Sequence, residues 1–280
     1  MRTVKEKLIE EKIYSAIGTA SFTLEPEIKK LLQNALKTEK NPYGKKVLEI
    51  IIDNIHIAEM KRLPLCQDTG MVEVFFEIGT GAIIEFNQFN SLQELVDSAV
   101  RRAYKDFYLR KSIVTVPDRK NTFDNTPAVL WCEIVPGDRI NFSILIKGFG
   151  SENTTTLKMF KPTVDMDAVK KFVVGCVKKA GPNPCPPVFV GIGMGGTADK
   201  ALCLSKKALL ETGRQQRGKL EEIEKQLISE INALMIGPGG FGGDNTCLDV
   251  RIKNFPTHIA GFPVAVSISC WAHRMHRVEI

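Results

Sequence analysis

The chain has 280 residues, 44% of them hydrophobic and 25% charged, which suits a globular protein of one large domain or two small ones. No run approaches the roughly 18 apolar residues of a membrane span, and the mixed-charge start Met1-Arg2-Thr3-Val4-Lys5-Glu6-Lys7 leads into no apolar signal core, so the expectation is a cytoplasmic protein with no membrane partner. The net charge of +6 is mild, and Lys and Arg are mostly interleaved with Glu and Asp; this argues against a nucleic-acid partner and leaves room for an anionic small substrate.

In chain order, residues 4–60 read as helical. Val4, Leu8 and Ile9 begin one apolar stripe, and Ile28, Leu31, Leu32, Ala35 and Leu36 form another. Asn41-Pro42 supplies a cap and a first-turn proline for a third helix carrying Val47, Leu48, Ile51, Ile52 and Ile55. Next comes Pro64-Leu65-Cys66-Gln67-Asp68-Thr69-Gly70, a turn that sets a thiol, an amide, a carboxylate and a hydroxyl side by side. A thiolate can hold a soft metal, and a neighbouring carboxylate can move a proton; a buried Cys beside an Asx turn is the plain alternative. Val72, Val74, Phe76 and Ile78 alternate in the strand that follows.

Ser91-Leu92-Gln93-Glu94 is a capping box opening a helix toward Arg110. Arg110 either favours the helix dipole or clamps a carboxylate. Short strands are expected near residues 113–116, 129–135 and 140–147, with Pro136-Gly137-Asp138 joining the last two as a hairpin. The glycines of Lys147-Gly148-Phe149-Gly150-Ser151-Glu152-Asn153 allow backbone N–H groups to approach an anion, or simply end a strand.

A helix near residues 165–180 is followed by Gly181-Pro182-Asn183-Pro184-Cys185-Pro186-Pro187, whose prolines hold Cys185 in a stiff loop. The strand Val188-Phe189-Val190 then enters Gly191-Ile192-Gly193-Met194-Gly195-Gly196, a weak match to the dinucleotide fingerprint before a helix at about 198–210. Another helix spans residues 219–235; a glycine-rich loop covers 237–246; strands follow at 248–253 and at Val264–Ser269, the last delivering Cys270. No internal repeat, low-complexity tract or disordered tail is visible.

Seven cysteines, an odd number with no Cys-x-x-Cys pair, argue against a disulfide framework and against ribbon-type zinc or thioredoxin-type sites. Cys176 and Cys203 fall on helices among apolar neighbours, and Cys132 and Cys247 in or beside strands, whereas Cys66, Cys185 and Cys270 stand at loops or strand ends. Three thiolates suit an iron–sulfur cluster with one iron lacking a protein ligand, an open Lewis acid for a hydroxy acid. Asp68, Arg110 and His258 could supply acid–base and carboxylate-holding groups.

Cys66-Gln67-Asp68-Thr69-Gly70, Lys147-Gly148-Phe149-Gly150-Ser151-Glu152-Asn153, Cys185-Pro186-Pro187, Gly240-Phe241-Gly242-Gly243, and His258 before Cys270 occur here in one order. Together they resemble the α subunit of a two-subunit class I fumarate hydratase, a family that includes L-tartrate dehydratase, over roughly residues 45–280. The resemblance implies that Cys66, Cys185 and Cys270 ligate a 4Fe-4S cluster. It implies that Gln67, Asp68, Arg110, Gly150 and His258 contact a small dicarboxylate substrate, with Asp68 in proton transfer. It further implies reversible hydration of fumarate to L-malate, a β-subunit partner carrying the remaining site residues, and an α2β2 assembly. The loop after Lys147 looks like the fumarases, while Cys270-Trp271-Ala272-His273-Arg274 looks like the tartrate dehydratases. A nucleotide-binding module using residues 191–196 and a non-catalytic scaffold are the readings from other classes. The expected fold is a single mixed α/β (α+β) domain, with residues 1–60 as N-terminal helices packed on a largely antiparallel sheet and residues 61–280 binding cluster and substrate.

Overall fold

The computed structural model describes residues 1–280. The chain begins β1 (Arg2–Lys5), α1 (Glu6–Phe22), α2 (Pro26–Thr38), α3 (Pro42–Lys61), β2 (Met71–Gly79), β3 (Ala82–Glu85) and α4 (Leu92–Asp106). It continues through β4 (Val129–Val135), β5 (Ile140–Lys147), α5 (Phe149–Glu152), β6 (Thr156–Phe160), α6 (Met166–Ala180) and β7 (Val188–Gly195). It closes with α7 (Ala198–Leu209), α8 (Glu221–Asn232), β8 (Cys247–Phe255), β9 (Phe262–Ser269) and β10 (Arg274–Glu279). The fold is mixed α+β, as expected, and it divides into two compact units.

The first unit comprises Met1–Glu25, Ile55–Phe149 and Arg274–Ile280. Its sheet runs in the order β10-β5-β2-β4, with β10–β5 and β5–β2 antiparallel and β2–β4 parallel. Ile9, Ile13 and Ile17 recur at helical spacing on α1 and are fully buried in one cluster with Leu95, Val96, Ala99 and Val100 of α4 and with Val72, Val74 and Phe76 of β2. Each of these side chains larger than alanine contributes about 1.5–3 kcal/mol by leaving water. The expected Ser91 cap is present: its hydroxyl accepts from Glu94 N at 3.1 Å.

The second unit comprises Pro26–Asn54 and Gly150–His273. Its sheet has the order β6-β9-β7-β8, again with two antiparallel junctions and one parallel. Val169, Val173 and Val177 of α6 and Leu227 and Ile231 of α8 bury against Val190, Val250, Val264 and Val266 of the sheet.

The two sheets thus share one connectivity, a repeat invisible in the amino-acid pattern. In each, a central strand (β2, β7) is followed by a crossover to a parallel neighbour (β4, β8), and the chain then returns antiparallel on the other side (β5, β9). The expected β4–β5 hairpin is therefore corrected: both strands pair with β2, which lies between them. The physical reason is glycine. Residues 136–139 cross the end of β2, where Gly79 N donates to Arg139 O at 2.8 Å and a Cβ on Gly79 would lie 2.5 Å from Gly137 O. Gly195 does the same at the end of β7, under the carbonyl of Phe255.

Two further expectations change. Residues 113–116 form no strand; only an isolated bridge joins Val114 to Asn121. The fingerprint glycines Gly191 and Gly193 lie inside β7, where they let α7 approach: a Cβ on Gly193 would stand 2.6 Å from Ser205 N. They form no loop between strand and helix. Strands β1, β3, β6 and β10 are additional to those read from the sequence.

Candidate active site

The Cys66–Gly70 loop is pinned from several sides within the first unit. Asp68 Oδ1 accepts from Gly70 N at 3.0 Å, and Oδ2 accepts from Phe149 N at 2.9 Å. Gly70 has φ +74, and a Cβ there would meet Lys147 O at 2.7 Å, so only glycine lets the loop turn into β2 beside β5. The fully buried Tyr104 hydroxyl lies 2.8 Å from Thr69 O and 3.0 Å from Gly70 O, to which its single proton can donate. Asn125 Nδ2 donates to Gly70 O at 3.2 Å, and Thr69 Oγ1 donates to Arg110 O at 2.7 Å. Asp68 and the Arg110 backbone are thereby brought to one place. The side chains of Gln67 and Arg110 are exposed, while Cys66 and Asp68 are partly buried.

Arg274, at the start of β10, belongs to the same neighbourhood. It is 2% exposed, and its Nε has no hydrogen-bond partner. Burial pushes the Tyr104 phenol well above its ordinary value; Arg274 pulls it down and Asp68 pushes it up, so this hydroxyl senses both charges.

In the second unit, the segments that carry Cys185 and Cys270 are brought together. Trp271 N donates to Cys185 O at 3.3 Å, tying the proline-rich loop to the end of β9. Cys185 has φ 54, a left-handed conformation that costs a non-glycine residue free energy and is held by its neighbours. One of these is Pro182, whose carbonyl accepts from Cys185 N at 2.9 Å. The glycine-rich loop braces the same segment, with Gly239 N donating to Pro186 O at 2.8 Å. That loop is anchored by Glu39, 6% exposed, which accepts from Asp244 N and Asn245 N at 3.0 Å each. Gly150 opens toward Asn183, whose carbonyl would be 3.2 Å from a Cβ at that position. Next to Cys270, His273 is fully buried; its ring lies 2.8 Å from Ser269 Oγ and 3.0 Å from Leu209 O and stacks on Phe189. His258 is exposed on the β8–β9 connection, where its Nδ1 accepts from Ala260 N at 3.1 Å, leaving Nε2 to carry the neutral ring's proton.

The cysteines sort by setting. Cys176, Cys203 and Cys247 are buried in helices or a strand, and burial pushes the Cys176 and Cys247 thiols upward, which disfavours the thiolate. Cys132 is exposed on β4. Cys66, Cys185 and Cys270 all sit on loops or strand ends, partly buried or exposed, with the chemistry of soft-metal donors. Within either unit alone, no three His, Cys, Asp and Glu side chains are gathered as a metal-ion site. Tyr104, Asn125, Glu39 and Arg274 are the supporting residues that sequence reasoning did not single out for a role.

A polar loop before a strand, a backbone-held carboxylate and loop-borne thiols define an enzyme of the hydro-lyase class when joined to the comparisons with known proteins. The chain belongs to the fumarate hydratase (Fumerase) family, whose model matches residues 10–279. It is 39% identical over 276 residues to a Methanocaldococcus jannaschii protein provisionally named L(+)-tartrate dehydratase subunit alpha, covering 95% of each chain. It is 31% identical over 255 residues to an Escherichia coli L(+)-tartrate dehydratase subunit alpha, covering 89% of this chain and 83% of the relative. A Shigella sonnei protein of the same name is 32% identical over 249 residues, covering 87% and 81%.

Proposed function

We propose that this chain is the α subunit of an iron–sulfur hydro-lyase that hydrates fumarate reversibly to L-malate together with a β subunit. The observation that carries the reading is Asp68, a carboxylate fixed by two backbone N–H donors on the loop that begins at Cys66. The donor set fits a 4Fe-4S cluster, with Cys66, Cys185 and Cys270 as its thiolates. Bound there, the cluster supplies a Lewis-acidic iron for the substrate hydroxyl and carboxylate.

The remaining chemistry belongs to this chain's own side chains. Each Asp68 oxygen uses one lone pair on a backbone N–H and keeps another for a proton at the substrate. The two N–H bonds fix the carboxylate plane before substrate arrives, so little reorganisation is needed when the proton moves. Arg110 offers a fork for a substrate carboxylate, Gln67 an amide, the Gly150 backbone an N–H without side-chain obstruction, and His258 its Nε2. The rest of the site belongs to the β partner.

A second reading, dehydration of L-tartrate to oxaloacetate, is favoured by the names of the relatives. The chain co-expressed with its β partner and purified without oxygen should be assayed with fumarate, L-malate and L-tartrate. Turnover of fumarate and L-malate supports the first reading, and turnover of L-tartrate alone replaces it with the second. Binding of NAD or ATP with no dicarboxylate turnover would overturn both.

A further inference from the structure

Arg274 has no place in the reaction as described so far, yet its setting is costly. A guanidinium 2% exposed with a partnerless Nε needs a negative charge close by. The main chain at Gly148 places one such charge nearby. A methyl group built on Gly148 would lie 2.9 Å from Asp68 Oδ2 and 3.6 Å from Arg274 Nη2. The carboxylate and the guanidinium therefore flank one small gap that glycine leaves open. Oδ2 is also the oxygen that accepts from Phe149 N. Arg274 itself is fixed by β10, where it stands opposite Ile146 in the register with β5, one residue before Lys147 and two before Gly148.

We infer that Arg274 is a positioning residue for Asp68: its buried charge, across the Gly148 gap, holds the carboxylate inward in the orientation that proton transfer requires. The inference rests on the proposed role of Asp68. Without the guanidinium, the carboxylate would lose the buried charge across the gap and would swing toward solvent, breaking its bond to Phe149 N. A side chain at position 148 would have a similar effect by pushing directly on Oδ2.

The test is a double-mutant cycle on the α/β enzyme with R274Q, D68N and the pair, using kcat and KM for the preferred dicarboxylate and iron content per chain. R274Q should lower kcat about 10- to 100-fold while KM changes less than about threefold and iron content is unchanged. R274K, which keeps the charge, should recover most of the loss. In the D68N background, R274Q should cost less than about twofold, because the group it serves is gone. In the isolated chain, hydrogen exchange at the Phe149 amide should quicken in R274Q and in D68N alike. Additive losses across the cycle, a loss confined to KM, or unchanged turnover and amide protection in R274Q would overturn the inference while leaving Asp68 in place. Native turnover in D68N would remove Asp68 from the mechanism and the inference with it. Should R274Q not fold, R274K and G148A decide: native turnover and Phe149 protection in G148A, or an R274K enzyme as slow as D68N, would count against it.

Discussion

Glu39 anchors the glycine-rich loop that braces Cys185, and its removal should be expensive. Its Oε1 accepts from Lys40 N, Asn41 N and Asp244 N at 3.0 Å each, and its Oε2 accepts from Asn245 N at 3.0 Å and Asn245 Nδ2 at 2.9 Å. In Glu39→Ala four backbone N–H groups lose this acceptor, and Asn245 Nδ2 keeps only Ala35 O at 3.4 Å. A buried donor left unsatisfied costs about 1–3 kcal/mol, and water will refill part of the space, so about 1 kcal/mol for each lost bond gives a loss of about 5 kcal/mol. That is a third or more of the stability of a typical domain. Glu39→Gln keeps an acceptor but introduces an NH2 facing N–H donors, and should lose about 2–3 kcal/mol.

The loss should depend on pH. Burial pushes the Glu39 carboxyl up, but the Asn245 side chain and the backbone N–H groups of Asn41, Asp244 and Asn245 outweigh it, so the carboxyl ends below its ordinary 4.5. A carboxyl depressed in the folded state stabilises fully above the unfolded value, and this contribution disappears as pH falls through the folded value. The gap between wild type and Glu39→Gln should therefore be full at neutral pH and shrink below about 4.5. Urea unfolding monitored by circular dichroism between pH 7 and pH 3 measures it. A Glu39→Ala protein within about 1 kcal/mol of wild type at pH 7, or a gap that does not change with pH, would refute the reasoning.

Gly79→Ala should destabilise by about 2–4 kcal/mol, because its Cβ would strike Gly137 O at 2.5 Å; a thermal melt near wild type would mean the crossing chain can lift away. Tyr104→Phe deletes the hydroxyl beside Thr69 O and Gly70 O and should cost about 1–2 kcal/mol in urea unfolding, with a fall in turnover of the α/β enzyme as the Asp68 loop loosens. Unchanged stability there would mean that water or Asn125 satisfies those carbonyls once the hydroxyl is gone. Cys132→Ser should leave stability within about 0.5 kcal/mol of wild type, because its side chain is exposed on β4.

The candidate site residues stand out in the sequence because they are types that packing does not ask for. Four prolines around Cys185 and the Cys-Gln-Asp-Thr run at position 66 stand out from any apolar period. The helices were readable from their stripes and caps, as at Ser91 and at Asn41, whose Oδ1 accepts from Tyr43 N at 2.9 Å. The hairpin expectation failed because the turn signal at Pro136-Gly137-Asp138 is local, while strand order is not. Nothing near residue 136 announces that β2 will lie between β4 and β5. The Gly191–Gly196 run misled for a related reason: a glycine every second residue serves a strand with a helix pressed on it as well as it serves a phosphate loop. Tyr104 and Asn125 were hidden because their partners lie 35 and 55 residues away in sequence. Arg274 was hidden because β10 itself was not expected, so its burial had no sequence signal. The shared connectivity of the two sheets arises from backbone pairing and leaves no repeated residue pattern to find.

The central claim is that three loop-borne thiolates in this chain hold one inorganic cluster for dicarboxylate chemistry. Iron and acid-labile sulfide should be counted in the α/β protein purified without oxygen, for wild type and for Cys66→Ser, Cys185→Ser, Cys270→Ser and Cys132→Ser. The account predicts about four of each per α chain in wild type and in Cys132→Ser, and loss of the intact cluster in the other three. Full iron and sulfide in all three of those variants would contradict it.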